Sequence, residues 1–255
     1  VLYEESVQSP ESDAAYMSRY FKKSSGRPAR SFREDFCGTA LLSCAFVRLN
    51  RENRSLGIDL DASTLRWARE FNLSRLPPGE RERVHLLRAN VLEIHAPRVD
   101  VVAALNFSYS VFKTRAELGA YLKNAHRSLR PGGLLFLDAW GGGQVQFIMK
   151  ERRRLRGFTY VWDQAEFDPI THRILCKIHF EFRDGTRMRN AFIYDWRLWT
   201  LPELRELMEE AKFEDVHVLW EGTDRKTSKG NGVFRRVERG GNEQAWVSYV
   251  VGRKR

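Results

Sequence analysis

The sequence predicts an α/β protein built on an open, mostly parallel sheet. Three observations carry that reading. Strand and helix patterns alternate from residue 30 to 139; a tight Cys37-Gly38-Thr39 turn follows the first strand; and a second strand, Gly57-Ile58-Asp59, ends in a carboxylate. Residues 31–36 read as the first strand and 39–49 as the first helix. Residues 55–59 form the second strand, followed by a helix with Leu65, Ala68 and Phe71 on one face. Further strands fall at 84–88 and 99–105. Thr114 and Glu117 have capping-box spacing and open a helix with Leu118, Leu122, Ala125 and Leu129 at helical intervals. Arg130-Pro131-Gly132-Gly133 stops that helix, and 134–138 is a buried fifth strand. The pattern then changes. Residues 158–165, 173–183 and 187–199 are long strands joined by turn residues, with Ile174, Cys176, Ile178, Phe180 and Phe182 on one face and Lys177, His179, Glu181 and Arg183 on the other, as in a half-buried antiparallel meander. A helix capped by Thr200 and Glu203, a strand at 216–220, a polar loop and a last strand at 246–251 complete the chain. The expected organisation is one domain over 1–255, with a helical arm over 1–29 and inserted strands over 151–199 acting as a substrate lid.

The turn after the first strand narrows the ligand. In open α/β sheets ligands bind beyond the carboxyl ends of the strands, where glycine lets backbone approach them. Asp59, at the end of the second strand, is placed to accept hydrogen bonds from ribose hydroxyls. A dinucleotide site wants G-x-G-x-x-G, but after Gly38 the chain reads Thr39-Ala40-Leu41-Leu42-Ser43, and no Gly-Lys-Ser/Thr of a phosphate loop occurs. The acid before the turn, Glu34, repels phosphates and attracts a sulfonium or ammonium. This combination favours S-adenosylmethionine over NAD or ATP.

At 255 residues the chain can bury a full core, and its 42% hydrophobic content contains no apolar run of the roughly 20 residues that cross a bilayer. No membrane partner is expected. The first residues lack the basic and apolar pattern of a secretory signal. Cys37, Cys44 and Cys176 have neither disulfide nor zinc spacing, so a reducing compartment, the cytoplasm, is expected and no metal is. The net charge of +10 includes basic clusters at 152–156, 235–236 and 253–255. They are scattered and not interleaved with aromatic residues, so they read as solvated faces lying mainly outside the strand-end crevice rather than as a nucleic-acid platform.

The order of these pieces resembles the Rossmann-like, S-adenosylmethionine-dependent methyltransferases, from about residue 30 to 251. The resemblance implies a seven-stranded Rossmann-like methyltransferase sheet, mostly parallel with a closing antiparallel strand, plus the inserted antiparallel β meander. It rests on Glu34-Asp35-Phe36-Cys37-Gly38-Thr39-Ala40, set against D/E-x-G-x-G-x-G, and on Leu129-Arg130-Pro131-Gly132-Gly133 before the fifth strand. Phe36 and Ala40 depart from the glycine pattern. The resemblance implies that S-adenosylmethionine, leaving as S-adenosylhomocysteine, is held by Glu34, Phe36, Cys37, Gly38 and Thr39 of the turn, by Asp59 at the ribose with Leu60 next to it, by Asn90 and Val91 at the adenine, by Asn106 at the methionine amine and by Tyr16 of the arm. Tyr3 is a further candidate of the arm. Cys37 reads as a small turn residue, not a nucleophile, since no base adjoins it.

Within that superfamily, Asn106-Phe107-Ser108-Tyr109, Asp138 and the meander look like the small-molecule N-methyltransferases that act on glycine-like amines or amino sugars. In-line methyl transfer to a small-molecule acceptor, an amine, is therefore expected, with Tyr109 and Asp138 as the candidates to orient the nitrogen or take its proton. Two alternatives stand beside it. A nucleobase amino-methyltransferase acting on RNA or DNA would carry D/N-P-P-Y/F at this fourth-strand position, and both prolines are missing here. A binding protein that lost the chemistry is the other. Trp140 and Trp162 read as core, His179 and Glu181 as solvated, and the sequence gives no oligomeric state.

Overall fold

A computed structural model of the chain describes residues 1–224 and 230–255. The central sheet has eight strands: β1 (Ser31–Asp35), β2 (Arg54–Asp59), β3 (Val84–Arg88), β4 (Val99–Ala104), β5 (Leu129–Gly141), β10 (Glu214–Thr223), β11 (Gly230–Val237) and β12 (Trp246–Arg253), in the order β11-β10-β12-β5-β4-β1-β2-β3. β1 to β5 pair in parallel, so their carboxyl ends share one edge of the sheet. β12 pairs antiparallel with both β5 and β10, and β11 antiparallel with β10. This is the expected mostly parallel sheet with its closing antiparallel strand, extended by one strand. The extra one, β11, arises where a polar loop was read: only Val233, Phe234 and Val237 in it are apolar, too sparse to signal a strand. Part of that loop, residues 225–229, lies outside the described residues.

A second sheet, β6 (Met149–Arg154), β7 (Phe158–Asp168), β8 (Arg173–Phe182) and β9 (Arg187–Arg197), is antiparallel throughout. The meander therefore gains a fourth strand, β6, whose run of charges hid it. In β8, Ile174, Cys176, Ile178 and Phe180 are all at most 1% exposed, as their alternation requires.

Helices cover both faces of the large sheet. The arm is α1 (Leu2–Val7) and α2 (Pro10–Ser25), whose Ala14, Met17 and Phe21 pack on Phe32, Phe136 and Val251, together with Phe46 of α3 (Leu41–Arg48). It thus covers a face of the sheet. α4 (Ala62–Trp67), with a π turn over Ala68–Asn72, and the short α5 (Pro78–Arg81) follow on the β2–β3 side. On the opposite face α6 (Arg115–Ser128) and α7 (Leu201–Glu210) bury Leu118, Leu122, Leu204 and Leu207. Both begin with the reciprocal cap foreseen, Thr114 with Glu117 and Thr200 with Glu203; such caps contribute about 1 kcal/mol each.

Two buried polar knots fix the sheet. Asp100, at the start of β4, accepts from the amides of Arg30 and Ser31 and from the Arg27 guanidinium. Burial would raise its pKa, but these bonds outweigh it and hold the carboxyl below its usual value. In β1, Arg33 is 1% exposed and donates to Asp35, to Ser128 of α6 and to the carbonyls of Val91 and Ile94. A buried arginine needs such complete pairing. It ties the loop after β3 to α6, and its place in a short strand that also carries Ser31, Glu34 and Asp35 gave no hint of this role.

Candidate active site

The turn after β1 has a glycine-type backbone with a glycine at only one of its three positions. Phe36, Gly38 and Ala40 all have positive φ, at 56°, 51° and 59°. Those are the three glycine positions of the pattern the chain resembles, and the left-handed region costs a non-glycine residue about 1–2 kcal/mol. The Phe36 ring offsets this by packing 5.8 Å from Tyr121 and 6.0 Å from Phe112, and Ala40 is fully buried. A Cβ on Gly38 would meet nothing within 4 Å, so glycine there serves the dihedral alone. Cys37 rests its sulfur on Gly57, where a Cβ would come within 2.9 Å of it. Burial first, then the carboxylates of Glu34, Asp59 and Asp35, push its thiol pKa far up, which rules it out as a thiolate nucleophile.

The acids behind the turn divide by burial. Glu34 is buried and accepts from the Ser43 amide and hydroxyl at 2.8 and 2.6 Å, inside the first turn of α3. Burial, with repulsion from Asp59 and Asp35, pushes it up to about 7. It lies beneath the loop rather than at its surface. Asp59 is half-buried: one oxygen accepts from the Gly38 amide at 2.8 Å and the other from the Asp61 amide at 2.9 Å. Each carboxylate oxygen has a further lone pair, so a diol can still bind it. Leu60 beyond it is 64% exposed, an apolar platform at the end of β2. Asn90 uses its amide oxygen locally, accepting from Leu92 at 3.0 Å, and Val91 is buried with its carbonyl bonded to Arg33 and Asn124. Thr39 gives its carbonyl to Asn72, which also donates to Glu4, so α1 is moored beside the cofactor loop.

The carboxyl ends of β4 and β5 are built around Asp138. Asn106 and Phe107 both have positive φ, and their amides donate to the two oxygens of Asp138 at 2.7 and 2.9 Å. One carboxylate thus clamps two strained residues. Burial raises Asp138 to about 7 in spite of these bonds. Tyr109 comes to the same residue from the other side. Its hydroxyl donates to the Asp138 carbonyl at 2.7 Å, and its ring is 2% exposed in the core. Asp138 and Asn106 line a cavity of about 800 Å³; Tyr109 does not.

Several segments line that cavity, among them β10 and β11 with Glu221 and Phe234. The floor is Asn106, Phe107, Asp138 and Trp140; the arm brings Tyr3, Asp13 and Tyr16; the meander faces it with Trp162, Tyr194 and Trp196; and Trp246 and Tyr249 of β12 close it. Tyr16 donates to the Phe234 carbonyl at 3.2 Å and stacks on Tyr249. Trp140 and Trp162, read as core, are half-buried cavity walls, 6.0 Å apart and nearly perpendicular. Arg153 also lines the cavity, its guanidinium bonded to the Ser6 carbonyl and 5.2 Å from the centre of the Tyr160 ring. The expectation that the basic clusters stand outside the crevice is therefore corrected for this residue, because Arg153 shares its face of β6 with Glu151 and points inward. Sequence reading missed Asp13, Tyr194 and Trp196. The alternation of aromatic residues along β9 was the available signal. Among the described residues no group of His, Cys, Asp and Glu could hold a metal ion, and the three cysteines are free and buried. No helix among the described residues is long and apolar enough to cross a membrane.

Residues 37–135 match the family model described as a methyltransferase domain. No curated protein matches the sequence. Among solved structures, the chain is similar to the CcbJ methyltransferase of Streptomyces caelestis, at 16% identity over 98% of each chain with a TM-score of 0.72. It is also similar to S-adenosylmethionine-bound CalS10, an amino pentose methyltransferase of Micromonospora echinaspora, at 17% identity over 100% of this chain and 95% of that one, TM-score 0.70. A third is the sugar N-methyltransferase KedS8 of Streptoalloteichus, at 18% identity, 100% and 91% coverage and a TM-score of 0.66. At these identities the likeness shows the fold, which is the Rossmann-like one.

Proposed function

We propose that this chain, a member of the Rossmann-like S-adenosylmethionine-dependent methyltransferase superfamily, methylates the nitrogen of a small-molecule amine. The observation that carries the amine reading is Asp138: a carboxyl at about 7, lining a partly open cavity of about 800 Å³ at the carboxyl ends of the strands. Similar folds that act on amino sugars support it. When bound, S-adenosylmethionine supplies a methyl group already activated on a sulfonium.

The residues present fit that cofactor. Asp59 offers lone pairs to a ribose diol and Leu60 an apolar face to the adenine. At the β4 end the amides of Asn106 and Phe107 are given to Asp138, and the Phe107 carbonyl accepts from the Ser110 amide. An amine reaches this crevice as an ammonium and must lose a proton before its lone pair is free. Asp138 is the group placed to receive it. Tyr109 acts as a positioning residue, holding the Asp138 main chain from below. The arm and the meander exclude water and hold the acceptor close, which is the larger part of the catalysis that such a transfer needs.

The test is purified protein with methyl-labelled S-adenosylmethionine and cell extract separated into small-molecule, RNA and protein fractions. Label in a small-molecule amine is the expected result. Absence of any heat of binding with S-adenosylhomocysteine at millimolar concentration would remove the reading altogether, and binding without label in any fraction would leave a non-catalytic binding protein.

A further inference from the structure

The cavity differs in character from the chain that encloses it. The protein has 43 lysine and arginine residues against 33 aspartate and glutamate. Its described cavity wall reverses this balance: Asp13, Asp138, Glu151, Glu221 and Glu243 are there with a single cation, Arg153. That cation is already engaged by the Ser6 carbonyl and the Tyr160 ring. The acids are accompanied by ring faces. Trp140 and Trp162 meet nearly at right angles, and Trp162, Tyr194 and Trp196 continue as one surface, with Tyr194 and Trp196 stacked at 4.3 Å. Ring faces hold a desolvated ammonium, whose charge is drawn to the ring quadrupoles, and these rings line the same cavity as the acids.

Asp13 supplies the carboxylate nearest in kind to such a role. It stands on α2, and its Oδ1 is fixed by the Tyr249 hydroxyl at 2.8 Å. Tyr249 is in turn stacked on Tyr16 and 4.5 Å from Phe234, so the carboxylate is held and not free to swing out. The mechanism above does not use it.

We propose that the cavity is a cation-selecting chamber in which Asp13 and the Trp140–Trp162 corner hold a positively charged group of the acceptor. The acceptor class follows: an amine which remains cationic while bound, either through its reacting nitrogen before proton loss or through a second ammonium. This rests on the reading of the cavity as the acceptor site.

The test uses the full chain with S-adenosylhomocysteine, titrated calorimetrically with benzyltrimethylammonium, with its neutral carbon isostere and with benzoate. The cation is expected to bind at least tenfold tighter than the isostere, and benzoate not measurably. Asp13→Asn, which leaves Tyr249 an oxygen to donate to, should weaken the cation at least fivefold, as should Trp162→Ala. Neither should change S-adenosylhomocysteine affinity, which also reports that the variants are folded. Equal affinity for cation and isostere in protein that binds S-adenosylhomocysteine would overturn the proposal while the methyltransferase reading stands. Loss of S-adenosylhomocysteine binding in the unmodified chain would sink that reading instead, leaving the cation preference to be judged on its own titration.

Discussion

The two halves of the strand-end crevice are built on opposite plans. Over β1, β2 and β3 the acids turn inward: Glu34 is given to Ser43, and Asp59 braces the Gly38 amide. The groove depends on backbone shape, with left-handed residues at three alternate positions. Over β4 and β5 a single acid, Asp138, opens onto a wide chamber whose walls come from segments more than a hundred residues apart. The first half is shaped by its backbone; the second is a container whose chemistry is set by side chains. The difference teaches that the fold's constant work and its specific work are separated along the same edge of one sheet.

The largest expected effect breaks the second half. Asp138→Ala removes both the carboxyl proposed to take the ammonium proton and the clamp on Asn106 and Phe107, and turnover should fall by about 100-fold or more, the usual range for loss of a general base. Calorimetry should find cofactor binding weakened far less. Because burial raises Asp138 to about 7, its carboxyl is protonated below that pH and able to accept a proton above it. The rate should therefore rise as pH passes upward through about 7. A rate already flat across that range in the unmodified chain would remove Asp138 from proton transfer.

Breaking the first half should cost less. Asp59→Ala deletes charged hydrogen bonds to a ribose and the brace on Gly38, and should weaken S-adenosylhomocysteine by about 1–3 kcal/mol. Unchanged affinity in a folded variant would move the ribose elsewhere. kcat at saturating cofactor should stay near its original value, which separates this variant from Asp138→Ala.

How much of each half was legible follows from the same contrast. The cofactor half is local: Glu34, Gly38 and Asp59 lie within 26 residues, and their spacing on two parallel strands could be read directly. Even the loss of two glycines concealed a preserved backbone, since positive φ at Phe36 and Ala40 leaves no mark in the sequence. The chamber is non-local. Asp13 meets Tyr249 across 236 positions, and only the folded sheet brings α2 beside β12. Trp140 and Trp162 were assigned to the core because aromatic residues are most often there; their exposure depends on how far the meander stands off the sheet, which no periodicity encodes. Arg33 was invisible for a related reason: a charge is buried only where distant groups complete its bonds, and these come from Ser128 and the loop after β3. Tyr109 was placed correctly at the end of β4 but not in orientation, because the left-handed Asn106 and Phe107 redirect the chain below the cavity floor.

A smaller effect sharpens the account of the cofactor turn. Gly38→Ala introduces no clash, so its cost is that of the left-handed dihedral, about 1–2 kcal/mol, seen as a lowered Tm. Ala40→Gly relieves the same strain but removes a buried methyl, so its Tm should move little. A large loss in Ala40→Gly would show that packing, not dihedral, rules that position.

The smallest expected effect concerns the outer surface, and it separates a chamber enzyme from one that grips a polynucleotide. Arg236 on β11 is half-exposed and paired with Asp215 at 2.7 Å, and it does not line the chamber. An exposed pair of this kind contributes about 0–1 kcal/mol, so Arg236→Glu should leave folding almost intact. A nucleic-acid substrate would need several phosphates neutralised, and its affinity would fall by roughly a thousandfold or more between about 50 and 200 mM salt. A small amine meets only the few acids of the chamber, whose low-dielectric walls shield them from screening. Its KM should therefore shift by no more than a few-fold over that range, and Arg236→Glu should leave both kcat and KM near their original values. Steep salt dependence together with a large loss in Arg236→Glu, and methyl label in an RNA or DNA fraction, would transfer the specific work from the chamber to the basic surface.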